Sequence, residues 1–347
     1  MRTFAIPAAV AAAIVSPIAL FFGVGDYYPT ILWWSLRSSL FVLVPLVALL
    51  VVVGVLAVLG AWREERDGNP LPAWAAAWLV GIVGLIALGW WSIGYHGYLQ
   101  AKQYTPSISV TSAPLGELGK RAPYQVAEAQ ARPNLGDYPG DIATTSYIPQ
   151  GDQYMSLVTR RGIFAGYQVL LAQSIPLTGR GSATTCQFDQ AADARIGGWF
   201  SHNLGRQIAH EQRWWRFDPA DAYAYCDGSR PVVVVPMTRQ VGWMVVTERF
   251  AGVALYDGHT GRVEIVTDPH RIAALPGTAY PLSLATRQRE ATQALGSFGD
   301  WVFGRAGWET TEDQTDINSG NTAEFVLAEG RGAAYDEASR RLAHPGA

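Results

Sequence analysis

The sequence predicts a membrane-anchored α+β protein: three transmembrane α-helices, then an extracytoplasmic domain in which a helix packs on an antiparallel, hairpin-rich sheet. Three observations predict it. Charge is unevenly spread: of 26 Lys/Arg and 29 Asp/Glu, only Arg2, Asp26, Arg37, Arg63, Glu64, Glu65, Arg66 and Asp67 fall within residues 1–98. That same region contains three long uncharged apolar stretches. Beyond residue 150, short apolar runs alternate with turn residues around one stretch of helical periodicity.

The spans are residues 4–23, 40–62 and 71–91. Each is long enough to cross roughly 30 Å of hydrocarbon at about 1.5 Å per residue. Bare backbone is not tolerated in lipid, so each is read as a helix. Arg2 and the pair Arg63 and Arg66 outweigh Arg37, which is opposed by Asp26. The positive-inside rule therefore places the N-terminus and the 63–70 loop in the cytoplasm and everything after about Tyr98 outside a bacterial cytoplasmic membrane. Tyr27, Tyr28, Trp33 and Trp34 would form one interfacial belt, and Trp90, Trp91, Tyr95 and Tyr98 a second. Residues 4–23 admit a second reading as a cleaved signal peptide, which leaves the later segments on the same sides. No span carries an ionisable residue at its middle, which argues against a carrier or pump acting alone. Ala77, Gly81 and Gly84 form a small-residue stripe, expected to pack against the neighbouring helices or, in a homo-oligomer, against a second copy.

Residues 99–150 are rich in Pro, Gly, Ser and Thr and read as a stalk or wrapping segment, with a short strand at 107–111. The domain proper spans 151–308, as one unit or two. Strands at 153–159 and 167–175 flank a hairpin tip containing Arg160 and Arg161. Ile196, Trp199, Phe200, Leu204 and Ile208 recur at helical spacing, so 191–213 is expected to be one amphipathic helix, weakened early by Gly197 and Gly198. Strands follow at 222–226, 231–238, 242–248, 252–257 and 262–268, then a helix at 283–298. Residues 309–347 read as a loose polar tail. The only cysteines, Cys186 and Cys226, both lie in the part placed outside, where an oxidising compartment favours a disulfide between them.

Within 191–268, the run from Arg230 to Asp268 resembles the closing hairpins of PepSY-like and cystatin-like extracytoplasmic domains, with Asp257, Thr260, Gly261 and Val263 matching their D-x-x-T-G-x-V ending. The resemblance implies binding, inhibition or regulation of a partner in the cell envelope.

The sequence excludes several chemistries. A net charge of −3 argues against nucleic acid as a partner. His210-Glu211 has no second His at zincin spacing, and neither a G-x-S-x-G elbow nor a Gly-rich phosphate loop occurs. No catalytic residue, metal or cofactor is therefore expected. The candidate binding surface is Trp214-Trp215, between Arg213 and Arg216, together with Arg160 and Arg161. Membrane lipid and an envelope protein are the expected partners. The expected function is that of an accessory subunit or regulator of an envelope complex; an extracytoplasmic sensor or inhibitor and an envelope enzyme are the alternatives. Scarce Lys (Lys102 and Lys120) beside abundant Arg, Ala and Gly points to a high-GC bacterial genome.

Overall fold

The computed structural model describes residues 28–67, 71–108, 124–136, 138–148, 151, 153–174 and 182–306, with Ser16 and four short stretches, 308–310, 325–327, 333–335 and 339–341. The first expected span, 4–23, and Tyr27 lie outside the described residues, Ser16 excepted.

The first described helix, α1, runs from Tyr28 to Asp67 and is 40 residues long. At 1.5 Å per residue it reaches about 60 Å, twice the thickness of a hydrocarbon core. Its segment Tyr28–Trp62 is the one described helix long and apolar enough to cross a membrane, and the most apolar stretch of it is not buried against the rest of the protein. The second, α2 (Leu71–Trp90), contributes a shorter apolar run, Ala77–Trp90. Fourteen residues rise only about 21 Å, so of the two expected spans among the described residues only one is long enough to cross a membrane by length and composition. The small-residue stripe lies along the contact between α1 and α2. Ala77 is buried, a Cβ at Gly81 would touch Val53, and one at Gly84 would overlap the Leu49 side chain.

From α2 the chain continues without a break. A π-helical turn, Trp91–Tyr95, leads into α3 (His96–Tyr104) and a closing 3₁₀ turn, Thr105–Ser107. The expected stalk is replaced, where residues are described, by α3, a helix α4 (Tyr124–Asn134) and a strand β1 (Gly140–Ile148). The polar composition of 99–108 hid a helix whose one tyrosine packs on the domain itself. Tyr104 joins Leu284 and Ala291 in a small buried cluster.

Two antiparallel sheets make the domain. The first is a meander of β1, β2 (Gln153–Arg160), β3 (Tyr167–Gln173) and β4 (Ala183–Gln187). The second is built on β7 (Arg230–Val241), which pairs β5 (Trp215–Arg216), β6 (Tyr223–Asp227) and β8 (Thr247–Asp257); β8 pairs β9 (Val263–Val266). Both sheets contribute to the main core, Leu157, Tyr167 and Leu170 from the first and Val233, Val235 and Met237 from the second. Val232–Val235 are all buried, so both faces of β7 are covered. The outer face of the first sheet packs Val158, Val169 and Leu171 against Ala131 of α4. Cys186 on β4 and Cys226 on β6 form a disulfide that joins the two sheets.

Three expected elements differ. The six-turn helix over 191–213 is only α5 (Leu204–Glu211), capped by Asn203, whose side chain accepts from the Arg206 amide. Ahead of it Gly197 and Phe200 adopt positive φ, and a Cβ at Gly198 would strike the His202 carbonyl. The chain there is a tight loop with apolar residues at helical spacing by coincidence. The strand expected at 242–248 is a turn, with positive φ at Gly242 and Met244, and its last residues open β8. The helix expected at 283–298 is α7 (Leu282–Ala291), which gives way to a 3₁₀ turn; after the interruption at Gly296 and Ser297, α8 (Phe298–Val302) is capped by the Ser297–Asp300 box. In the expected tail, 308–310 pairs with 339–341 and 325–327 with 333–335, both antiparallel.

The D-x-x-T-G residues act as a turn cap. Asp257 Oδ1 accepts from the amides of His259 and Thr260, both at 2.8 Å, and Gly261 takes φ +68° where a Cβ would strike the Ala191 carbonyl. Partial burial disfavours the Asp257 charge, but the Thr260 and His259 amides outweigh it and hold the carboxyl below its usual value. A depressed folded-state value stabilises the fold above the unfolded value, near 4, and that gain disappears as pH falls through the folded value. The Tm difference between wild type and Asp257→Asn should therefore shrink below pH ~4; a constant difference would refute the capping role. Removing the disulfide with Cys186→Ala/Cys226→Ala, which opens a closure of 40 residues, should cost about 2–4 kcal/mol in a thermal melt.

Candidate functional site

The outer end of α1 is docked on the domain rather than projecting from it. Thr30 is fully buried and its hydroxyl donates to the Arg213 carbonyl. Trp34 is only 3% exposed; the Arg216 guanidinium stacks on its ring at 4.9 Å, and the Gln240 amide donates to its carbonyl at 3.2 Å. Arg37 donates to the Gln240 and Gly242 carbonyls at the end of β7 and lies over the Trp243 ring at 5.1 Å. Trp33 meets Trp214 and Trp243 edge to face at 6.4 and 5.8 Å. Trp214, read from sequence as part of a binding surface, thus meets this chain's own helix, whereas Trp215 packs against the main core.

The interfacial belts divide in the same way. Tyr28 and Trp90 are exposed, Trp91 is 40% exposed while stacking on Phe41 of α1 at 4.9 Å, and Tyr95 and Tyr98 pack on the domain against Phe298. Sequence reasoning missed this docking because an aromatic that faces lipid headgroups and one that faces a neighbouring domain leave the same mark in a sequence.

Between the outer end of α1, α3 and α7, over the ends of β7 and β8, lies a cleft of about 470 Å³. On its wall the Tyr104 hydroxyl accepts from the Glu248 amide at 2.9 Å, Glu248 pairs with Arg287, and the Thr238 hydroxyl reaches Glu248 at 3.3 Å. Burial raises the Tyr104 hydroxyl above its ordinary value. Burial works against the Arg287 charge, and the Glu248 carboxylate more than offsets it. The Ser38 hydroxyl is committed to helix carbonyls of Trp34 and Ser35, both at 3.0 Å, and no His or Cys lines the cleft. The arrangement can bind, but it offers no nucleophile with a base. Among the described residues no group of three His, Cys, Asp or Glu could hold a metal ion.

Arg160 and Arg161 lie at the opposite end of the sheets. Tyr256 faces Val233 in the β7–β8 pairing, and Gln240 is seven residues further along, roughly 23 Å. Beside Tyr256 the 191–203 loop is pinned from several sides. The Tyr256 hydroxyl accepts from the Ala194 amide at 3.1 Å and the Tyr167 hydroxyl from the Ile196 amide at 3.0 Å. Burial pushes the Tyr256 hydroxyl up to about 12, so it remains protonated through the physiological range. The Arg195 guanidinium donates to the carbonyls of Arg160 and Gly162, and the Trp199 amide donates to the Ile163 carbonyl at 3.0 Å. The result is a fixed cluster in which Phe164 is 56% exposed, Trp199 53% and Phe200 64%. Phe164 and Phe200 lie parallel at 6.3 Å. Trp199 and Phe200 were assigned to a buried helical stripe; positive φ at Phe200 instead turns them outward.

Compared with models of known families, with curated proteins and with solved structures, the chain matches none.

Trp34 and Trp214 separate the buried from the peripheral part of the docking. Trp34→Ala should cost about 3–5 kcal/mol, against about 1 kcal/mol for half-exposed Trp214→Ala, read from thermal unfolding of the full chain in mild detergent. Equal losses would mean that α1 is not packed as described.

Proposed function

We propose that this chain is a multi-pass protein of a bacterial cytoplasmic membrane, with its N-terminus cytoplasmic and its α+β domain outside, and that it serves as an accessory subunit or regulator which holds a protein partner of an envelope complex. The observation that carries the reading is the pinned aromatic cluster of Phe164, Trp199 and Phe200 at the end of the sheets remote from α1. Exposed apolar patches on a soluble face mark interaction sites, and rigid aromatics bind at little entropic cost. The docked α1 and α3 support the same reading. A domain set directly on its helices carries the cluster at a fixed height above the bilayer, as a subunit of a larger assembly requires. Residues 4–23 and α2 would complete the three spans, α2 by using the whole of Leu71–Trp90.

Photo-crosslinkers placed at Phe164 and Trp199 in intact membranes should give a discrete protein adduct that the double variant Phe164→Ser/Trp199→Ser abolishes. Because both side chains are half-exposed, that variant should cost no more than about 2 kcal/mol of folding stability, about 1 for each, and remain folded. Absence of an adduct at both positions, or cleavage of the domain only after the membrane is opened, would overturn the reading.

A further inference from the structure

The cleft between α1, α3 and α7 has a chemical character that its neighbours do not exhaust. Of its charged groups, Arg287 is paired with Glu248. Among the described residues, neither Arg216 nor Glu290 has an ionic partner. The Arg216 guanidinium sits over the Trp34 ring at 4.9 Å, a contact that uses none of its N–H donors, and it lines the cleft. Glu290 projects from α7 on another wall. Gln240 adds a third group: its nitrogen is committed to the Trp34 carbonyl, whereas its Oε1 is buried without a hydrogen-bond partner. An unpaired buried acceptor costs free energy unless a donor reaches it. The site therefore offers one cation, one anion and one acceptor that lacks a proton.

Its position narrows the occupant. Ser38 lines the cleft, and the exposed apolar surface of α1 is established by Leu43 and Val44, five residues on, or about 8 Å along the helix. On the membrane reading given above, on which this inference rests, the cleft lies at the level of the lipid headgroups. We propose that it holds the phosphoethanolamine headgroup of a membrane phospholipid, its phosphate on Arg216 and its ammonium between Glu290 and Gln240 Oε1. A primary ammonium supplies the N–H that Gln240 Oε1 lacks, which a quaternary choline cannot. A glycerol headgroup would satisfy Arg216 through the same phosphate but set neutral hydroxyls, rather than a cation, beside Glu290.

The test uses the full chain in mild detergent, with phosphatidylethanolamine, phosphatidylcholine or phosphatidylglycerol of identical acyl chains added back, and native mass spectrometry to count retained lipid. One phosphatidylethanolamine should be retained at least about tenfold more strongly than either competitor, about the worth of one charge-assisted hydrogen bond. Glu290→Gln should abolish the preference over phosphatidylglycerol with the Tm unchanged, and Arg216→Lys should weaken all three lipids. Equal retention of the three lipids by the wild type, or an intact preference in Glu290→Gln, would overturn the proposal. Soluble glycerophosphoethanolamine should compete only weakly; competition as strong as by the lipid would move the same chemistry to a soluble source and overturn the lipid assignment. Phe164→Ser/Trp199→Ser should leave lipid retention intact, so loss of the partner adduct with retained lipid would sink the adaptor reading alone. Release of the unextracted protein by an alkaline carbonate wash would sink the membrane reading on which both stand.

Discussion

The burial of Trp34 against the domain is the constraint from which the rest of the architecture follows. A helix that carries a long apolar stretch is set, through Thr30 and Arg37, directly onto the carbonyls of Arg213, Gln240 and Gly242, and the Trp34 carbonyl accepts from the Gln240 amide. The ring supplies apolar area, the Arg216 guanidinium caps its face, and the side chain–backbone hydrogen bonds fix the rotation of the helix about its axis. The second helix returns by the same route, since α2 passes through a π-helical turn into α3 and ends with Tyr104 buried beside Leu284. Two helices docked at one end leave the domain little freedom to tilt. The cleft exists because these two helices and α7 approach the same sheet edge without filling the space between them.

At the other end of the sheets the governing constraint is hydrogen bonding of a loop rather than packing of a helix. The disulfide and the shared core hold the two sheets together. The buried hydroxyls of Tyr167 and Tyr256 then reach out of that core to the amides of Ile196 and Ala194. Arg195 ties the same loop to the β2–β3 tip. Large aromatic side chains are thereby held in water by a heavily bonded loop rather than packed into the core.

Much of this was legible in the sequence. The short apolar runs at 153–159 and 231–238 became β2 and β7, the D-x-x-T-G turn became the β8–β9 connection, and the isolated cysteine pair became a disulfide, because each signal is local or has a single possible partner. The docking of α1 was not legible: Trp214 meets Trp33 of α1, Trp215 packs on the main core, and Arg160 is tied through its carbonyl to Arg195 beside the exposed aromatic cluster. Trp199 and Phe200 were misplaced because their helical spacing outweighed Gly197-Gly198, where a positive φ and a close approach to His202 break the helix.

What the sequence determined alone is the division of the chain into an apolar part and a polar part, the α+β character of the latter, and its covalent closure. These rest on composition, periodicity and the count of cysteines, which act along the chain. Only the tertiary structure decided which aromatics face the domain, that 99–104 is a helix continuous with α2, and that Arg216, Gln240 and Glu290 share one cleft. Those outcomes depend on surfaces brought together from residues up to about 200 positions apart, as with Arg37 and Gly242, and no local pattern encodes such a meeting.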